Sequence, residues 1–258
     1  MKEAILVVSF GTSYPETLEK NIASIEADIG RLFPHLPLRR AFTSGMILRR
    51  WASRGVEMDD VPAALRKLEA EGVARVILQP THIMNGDEYD KLTAQAQPFT
   101  GRIELRMGTP LLTELEDYQA VAEALQTSIA PPAEDEAVVF MGHGTEHYAN
   151  PAYLQMEYLL HDLGWKRAFF GTVEGYPGTD EVMRRLAEHP EVKKVRLYPF
   201  MVVAGDHAQN DMAGPEPDSW KNRMEQAGYQ VEPVLRGLGE YPAIRAIFAD
   251  HAKRAAEG

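Results

Sequence analysis

Two stretches of this chain repeat one pattern, and the repeat constrains the fold to two related halves. Val76-Ile-Leu-Gln-Pro-Thr-His-Ile-Met-Asn-Gly-Asp-Glu88 runs parallel to Val195-Arg-Leu-Tyr-Pro-Phe-Met-Val-Val-Ala-Gly-Asp-His207. In each copy an apolar run ends at a proline (Pro80, Pro199), and a Gly-Asp pair follows (Gly86-Asp87, Gly205-Asp206). The next position differs: Glu88 in one copy, His207 in the other. Copies that share a turn but differ at one polar position suggest that one of them carries chemistry. Two further segments match in the same order. Ile5-Leu-Val-Val-Ser-Phe-Gly-Thr12 resembles Val138-Val-Phe-Met-Gly-His-Gly-Thr145, and Ala41-Phe-Thr-Ser-Gly45 sits like Gly171-Thr-Val-Glu-Gly175. The first half therefore presents Phe10, Ser44 and Glu88 where the second presents His143, Glu174 and His207.

Short apolar runs alternate with amphipathic stretches from end to end. Eight strands are expected, at 4–9, 38–42, 74–79, 103–107, 137–141, 168–173, 195–200 and 230–234. Leu18, Ile22, Ile25, Ile29 and Leu32 recur at helical spacing. Ser13-x-x-Glu16 has the form of a capping box with Pro15 in the first turn, and Gly72, Gly164 and Gly228 stand where helices should stop. Continuous apolar strands separated by helices predict parallel sheets covered on both faces. The fold class expected is α/β, with two pseudo-symmetric lobes, each a mostly parallel sheet flanked by helices, and a cleft between them. The Pro- and acid-rich segment 128–136 marks the boundary, giving lobes of 1–130 and 131–258, the second carrying the metal site.

Composition removes several classes of function. The formal net charge is −11, which argues against a nucleic-acid partner. With no cysteine, a metal site must be built from His, Asp or Glu. No apolar run approaches the roughly 20 residues of a membrane span, and a cytoplasmic location is expected. The densest basic cluster is Arg39, Arg40, Arg49, Arg50 and Arg54, which reads either as a solvated face or as a site for an anionic small molecule.

In open parallel sheets, ligands collect beyond the carboxyl ends of the strands. His143, Glu174 and His207 each follow a strand, so all three should project from that edge. Two imidazoles and a carboxylate suit a divalent metal such as Co²⁺, Fe²⁺, Ni²⁺ or Zn²⁺. Each residue also has a plainer reading: His143 as a bonded turn residue, Glu174 as an arginine partner, Asp206-His207 as a cap for a helix starting near Ala208. His82 reads equally as a cleft residue or as a buried, satisfied histidine. His35, His189 and His251 read as surface positions. The residues alone leave open a carrier without turnover, and a metal-dependent hydrolase, although no H-E-x-x-H signature is present.

The segments Ile5–Ser13, Arg40–Met46, His82–Tyr89, Phe140–Gly144, Val203–His207 and Gly237–Arg245, in this order and spacing, resemble the anaerobic sirohydrochlorin cobaltochelatases of cobalamin biosynthesis. These are class II tetrapyrrole chelatases, related in fold to ferrochelatase. The resemblance implies a tetrapyrrole held in the interlobe cleft and ATP-independent insertion of Co²⁺, with iron insertion for sirohaem as the near alternative. No nucleotide is implied, and the partners are sirohydrochlorin, a divalent metal ion and, for this family, further identical subunits. It places the metal ligands on His143, Glu174 and His207. His143 is the expected base for the pyrrole protons, because an ordinary imidazole titrates near pH ~6.5. Glu88 is expected to help move protons. Phe10, Gly11, Thr12, Ser44, His82 and Arg40 are the expected substrate contacts, with Arg49 a further candidate for a substrate carboxylate.

Overall fold

The computed structural model describes residues 1–258. Four strands, β1 (Glu3–Ser9), β2 (Leu38–Phe42), β3 (Arg75–Pro80) and β4 (Glu104–Met107), form a parallel sheet in the order β2-β1-β3-β4. Four more, β5 (Glu136–Gly142), β6 (Ala168–Thr172), β7 (Lys194–Pro199) and β8 (Gln230–Pro233), form a second sheet in the order β6-β5-β7-β8. The two orders are one topology written twice, as the sequence repeat requires. All eight strands fall where the apolar runs place them, within two residues at each end.

The helices of the first half are α1 (Pro15–Thr17), α2 (Ser24–Leu32), α3 (Gly45–Ala52), α4 (Val61–Ala70), α5 (Asp87–Ala96) and α6 (Leu115–Ser128). Those of the second are α7 (Ala152–Asp162), α8 (Thr179–Ala187), α9 (Trp220–Gln226) and α10 (Pro242–Glu257). Gly72, Gly164 and Gly228 follow α4, α7 and α9 with φ of +78°, +95° and +96°, the left-handed stop that glycine takes without a Cβ penalty.

Alternation along the central strands explains why both sheets are buried on two faces. In β1, Ala4, Leu6 and Val8 face α4 and α5, while Ile5 and Val7 face the opposite way. In β5, Ala137, Val139 and Met141 face α8 and α9, while Val138 and Phe140 turn inward with Phe170. The two inward faces share a single apolar core that also takes in α2, α6, α7 and α10. The lobes are thus fused along one side by this shared core.

The first helix departs from its expected start. Tyr14, not Ser13, occupies the N-cap of α1, with Pro15 at the first helical position and no side-chain cap. Residues 18–23 then form a π-helical segment before α2 begins. Leu18, Ile22, Ile25 and Ile29 are buried as the spacing predicts, whereas Leu32 at the helix end is exposed.

The last helix crosses between lobes. Although α10 belongs to the second half by sequence, it packs on α2, α6, β3 and β4. Arg245 Nε donates to Asp28 Oδ2 at 2.8 Å, tying α10 to α2. This packing corrects the reading of His251 as a surface residue. His251 is buried, its Nε2 3.0 Å from Asp117 Oδ1 and its Nδ1 3.1 Å from the Thr109 carbonyl. Asp117 also accepts the Glu114 N–H at the start of α6 and a bond from Arg254.

Burial alone would raise the Asp117 carboxyl; the Glu114 N–H, Arg254 and His251 together hold it below its ordinary 3.8. A depressed carboxylate stabilises the fold fully above its unfolded value and loses that contribution as pH falls through the native one. Asp117→Ala should therefore destabilise the protein by about 3–5 kcal/mol near neutral pH, and by less in acid. Urea unfolding across pH 3–7 checks this: a loss that does not shrink in acid would remove Asp117 from the account.

Candidate metal centre

His143, Glu174 and His207 come from three separate strand ends of the second lobe. His143 follows β5 directly and Glu174 lies two residues past β6. The strand pairing continues beyond the sheet here: Val173 N–H donates to the Gly142 carbonyl (3.1 Å) and Glu174 N–H to the His143 carbonyl (2.8 Å). Gly144, at φ +85°, turns the chain against Gly175, which lets the turns that carry His143 and Glu174 touch through backbone. His207 arrives from the longer loop after β7 and enters a π-helical segment, residues 208–212.

One ligand atom from each of the three residues lies within 4.8 Å of the other two. The His143 and His207 rings stand edge to face, 4.7 Å between centroids, and His143 Nδ1 is 3.8 Å from Glu174 Oε2. Their side chains are 45%, 57% and 32% exposed in the order His143, Glu174, His207, so the site is an open cleft wall rather than an enclosed cage.

Hydrogen bonds settle which imidazole nitrogens are free. His143 Nδ1–H donates to the Gly144 carbonyl at 3.0 Å, and His207 Nδ1–H donates to Asp211 Oδ2 at 2.7 Å. Both Nε2 lone pairs remain for a metal or a proton. Asp211 thus fixes the orientation of the His207 ring, as an outer partner does for a metal-binding histidine. Asp211→Asn should lower Co²⁺ affinity roughly 10–100-fold in a competitive chelator titration. Unchanged affinity would show that the bond only caps the helical segment.

The remaining sequence candidates divide. Phe10 is 42% exposed at the end of β1, the position matching His143. Gly11, at φ +103°, keeps that turn tight against Phe42 and Ile47, where a Cβ would meet ring carbon at 2.8 Å. Thr12 is buried, its hydroxyl accepting the Tyr14 N–H and its carbonyl the Trp51 indole N–H. Glu88 opens α5 in the other lobe, its Oε2 buried without a partner and its Oε1 3.5 Å from Lys91 Nζ.

Three candidates are engaged elsewhere or enclosed. Ser44 is buried and caps α3 by accepting the Ile47 N–H. Arg40 Nε donates to Glu26 Oε1 at 2.7 Å, so α2 neutralises the guanidinium that a substrate carboxylate would need. His82 is buried with neither ring nitrogen hydrogen-bonded, so it is neither a satisfied core histidine nor an accessible base. Burial, with a smaller push from Lys91, drives its pKa down to about 4, and the ring is neutral across the working range.

Contacts that the sequence did not disclose bridge the cleft at three places, and the repeat relates the first two. Tyr14 Oη donates to Asp206 Oδ1 at 2.9 Å, from the turn after β1 to the Gly-Asp turn after β7. Thr145 Oγ1 donates to Asp87 Oδ2 at 2.6 Å, from the turn after β5 to the Gly-Asp turn after β3. Each aspartate of the repeat thus accepts a hydroxyl from the opposite lobe. His147 adds a third link, its Nδ1 accepting the Ala149 N–H while Nε2 lies 3.4 Å from Asp90 Oδ2.

Comparison with known proteins follows this geometry closely. The sequence model described as Cobalt chelatase (CbiK) matches residues 3–257. The chain belongs to the CbiK cobalt chelatase family. It is 45% identical over 259 residues to the sirohydrochlorin cobaltochelatase of Salmonella typhimurium, covering 99% of this chain and 97% of that protein. It is 36% identical over 254 residues to sirohydrochlorin cobaltochelatase CbiKC of Nitratidesulfovibrio vulgaris, covering 97% and 89%. A solved structure of SirB from Bacillus subtilis with Fe3+ superposes with a TM-score of 0.68 at 14% identity, covering 99% of this chain and 96% of that one. At that identity the match speaks for the two-lobe α/β fold of the CbiK family member, as the two matched sheets require.

Proposed function

We propose that the protein inserts Co²⁺ into sirohydrochlorin without a nucleotide, as a step toward cobalamin. The observation that carries the reading is the His143–Glu174–His207 cluster in an open interlobe cleft, with both imidazole Nε2 atoms unengaged. The full-length similarity to two sirohydrochlorin cobaltochelatases supports the choice of substrate and metal.

The chemistry sets the requirements. A divalent metal replaces two pyrrolic protons, so the site must hold a cation, present it to a planar ring, and accept protons as the metal–nitrogen bonds form. Two imidazoles and one carboxylate hold Co²⁺ without the thiolates that would retain it too tightly. Glu174 compensates part of the metal charge, and His207, steadied by Asp211, fixes its position. His143 Nε2 takes a pyrrolic proton as the metal moves off it. Glu88, on the opposite lobe, receives the second proton. Phe10 stands in the first lobe where the second has His143, giving the ring an apolar wall instead of a ligand.

A spectrophotometric assay tests the proposal. Purified protein mixed with sirohydrochlorin and Co²⁺ should convert the metal-free spectrum over many turnovers, faster than the protein-free control. His143→Ala should lose most of that acceleration, about 10²-fold or more if general-base catalysis is removed. Fe²⁺ in place of Co²⁺ gives the relative rate for the sirohaem reaction. A single stoichiometric turnover would instead describe a carrier.

A further inference from the structure

We propose that Arg49, Arg50 and Arg54 form a carboxylate-binding face that docks the acidic rim of the substrate beside the metal centre. The inference rests on the reading of the substrate as a polycarboxylate tetrapyrrole, and it assigns the residues that recognise it.

α3 starts at the carboxyl end of β2, on the sheet edge from which the cleft opens. Met46, Arg49 and Arg50 lie on its accessible side, and Arg54 follows one turn on. In a chain of net charge −11, neighbouring Arg39 and Arg40 pair with Glu71 and Glu26. Arg49, Arg50 and Arg54 pair with no carboxylate. Two of them bond to Ser13 instead: Arg50 Nη1 donates to its hydroxyl at 3.2 Å, and Arg54 Nη1 to its carbonyl. The Arg54 guanidinium also lies over the Trp51 ring, 5.6 Å from its centroid, and the Trp51 indole N–H donates to the Thr12 carbonyl at 2.8 Å. Arg49 folds back over Gly45, its Nη1 3.4 Å from where a Cβ would stand.

Arg50 and Arg54 are therefore held in place while most of their five N–H donors stay free, and Arg49 engages none of its own, which is the condition for bidentate carboxylate binding. Their location is fixed by one short chain of contacts. Ser13 precedes Tyr14, Tyr14 bonds across the cleft to Asp206, and Asp206 precedes His207. The arginine face and the metal centre thus flank the same interlobe bond. Phe10 and Met46, 42% and 49% exposed, supply apolar surface on the same side. Charge for a carboxylated rim and apolar surface for a ring face are the two requirements of a carboxylated macrocycle. They also account for Ser13, which leaves the capping box unformed and serves as the arginine anchor.

The test is a titration of metal-free protein with sirohydrochlorin, followed by absorbance at two ionic strengths. The Arg50→Gln/Arg54→Gln double variant should bind at least roughly tenfold more weakly and show a flatter salt dependence. Its Co²⁺ affinity should match the unmodified protein. Arg66→Gln removes an exposed arginine of α4 and should bind like the unmodified protein. Arg49→Gln alone should weaken binding several-fold, and it breaks no side-chain bond of the fold, so it decides the matter if the double variant is unstable. Unmodified affinity and salt dependence in the arginine variants would overturn the docking face and leave the chelatase reading standing. Failure of the unmodified protein to bind sirohydrochlorin would overturn both.

Discussion

Replacing His207 with alanine should weaken Co²⁺ binding by more than the roughly 10–100-fold that loss of an outer-sphere partner costs. Glu88→Ala, at the repeat-related position, should leave that affinity close to the unmodified value. The asymmetry follows from geometry. His207 stands edge to face with His143 at 4.7 Å, while Glu88 opens α5 of the other lobe and lies outside the three-residue cluster. Loss of His207 also leaves Asp211 as an unpaired carboxylate beside the cleft. Glu88→Ala should instead slow turnover at saturating Co²⁺, because proton removal is the role proposed for that side chain. Isothermal titration of Co²⁺ into both variants, with steady-state rates alongside, checks the division. Equal affinities would dissolve it.

The second large effect is expected at Gly144. Its φ of +85° is costly for any residue with a Cβ, by about 1–2 kcal/mol. The added atom would also stand 2.6 Å from the Gly175 nitrogen and 2.7 Å from Thr172 Cβ, in the turn that carries Glu174. Gly144→Ala should cost on the order of 2–4 kcal/mol in chemical denaturation, strain and overpacking combined. It should also weaken metal binding, because the two ligand-bearing turns must separate. Gly205→Ala is the contrast. That glycine has an ordinary φ, and the nearest atom to an added Cβ is Val203 Cγ2 at 3.6 Å. A Gly205→Ala protein as damaged as Gly144→Ala would mean that steric room is not what matters at these turns.

Strands and the meeting of His143, Glu174 and His207 were legible in the sequence for a shared reason. A parallel strand buried on both faces reads as an unbroken apolar run, and its carboxyl end places the next polar residues at the ligand edge. His143, Glu174 and His207 needed only that rule and the repeat. Arg40, Ser44, His82 and His251 needed knowledge of which partner each side chain meets. Arg40 lies on a strand, where the neighbouring helix α2 brings Glu26 to it. Ser44 looks like a cleft residue until α3 begins at the next position and takes its hydroxyl as a cap. His251 was hidden by topology, because nothing local says that α10 returns to the first lobe. Asp211 carried a usable signal: a carboxylate four residues after a histidine at a helix start lies one turn above it. The reciprocal Tyr14–Asp206 and Thr145–Asp87 bonds were half visible, since the repeat marked both aspartates without naming the hydroxyls opposite.

In the proposed reaction, metal held by His143, Glu174 and His207 passes directly into the macrocycle. A single-turnover experiment tests it most directly: protein loaded with one equivalent of Co²⁺ is mixed rapidly with excess sirohydrochlorin, and the spectrum is followed in time. The bound cobalt should appear in the tetrapyrrole faster than the same concentration of free Co²⁺ reacts, and His143→Ala should abolish the advantage. Cobalt that stays on the protein, or reacts no faster than free metal, would contradict it.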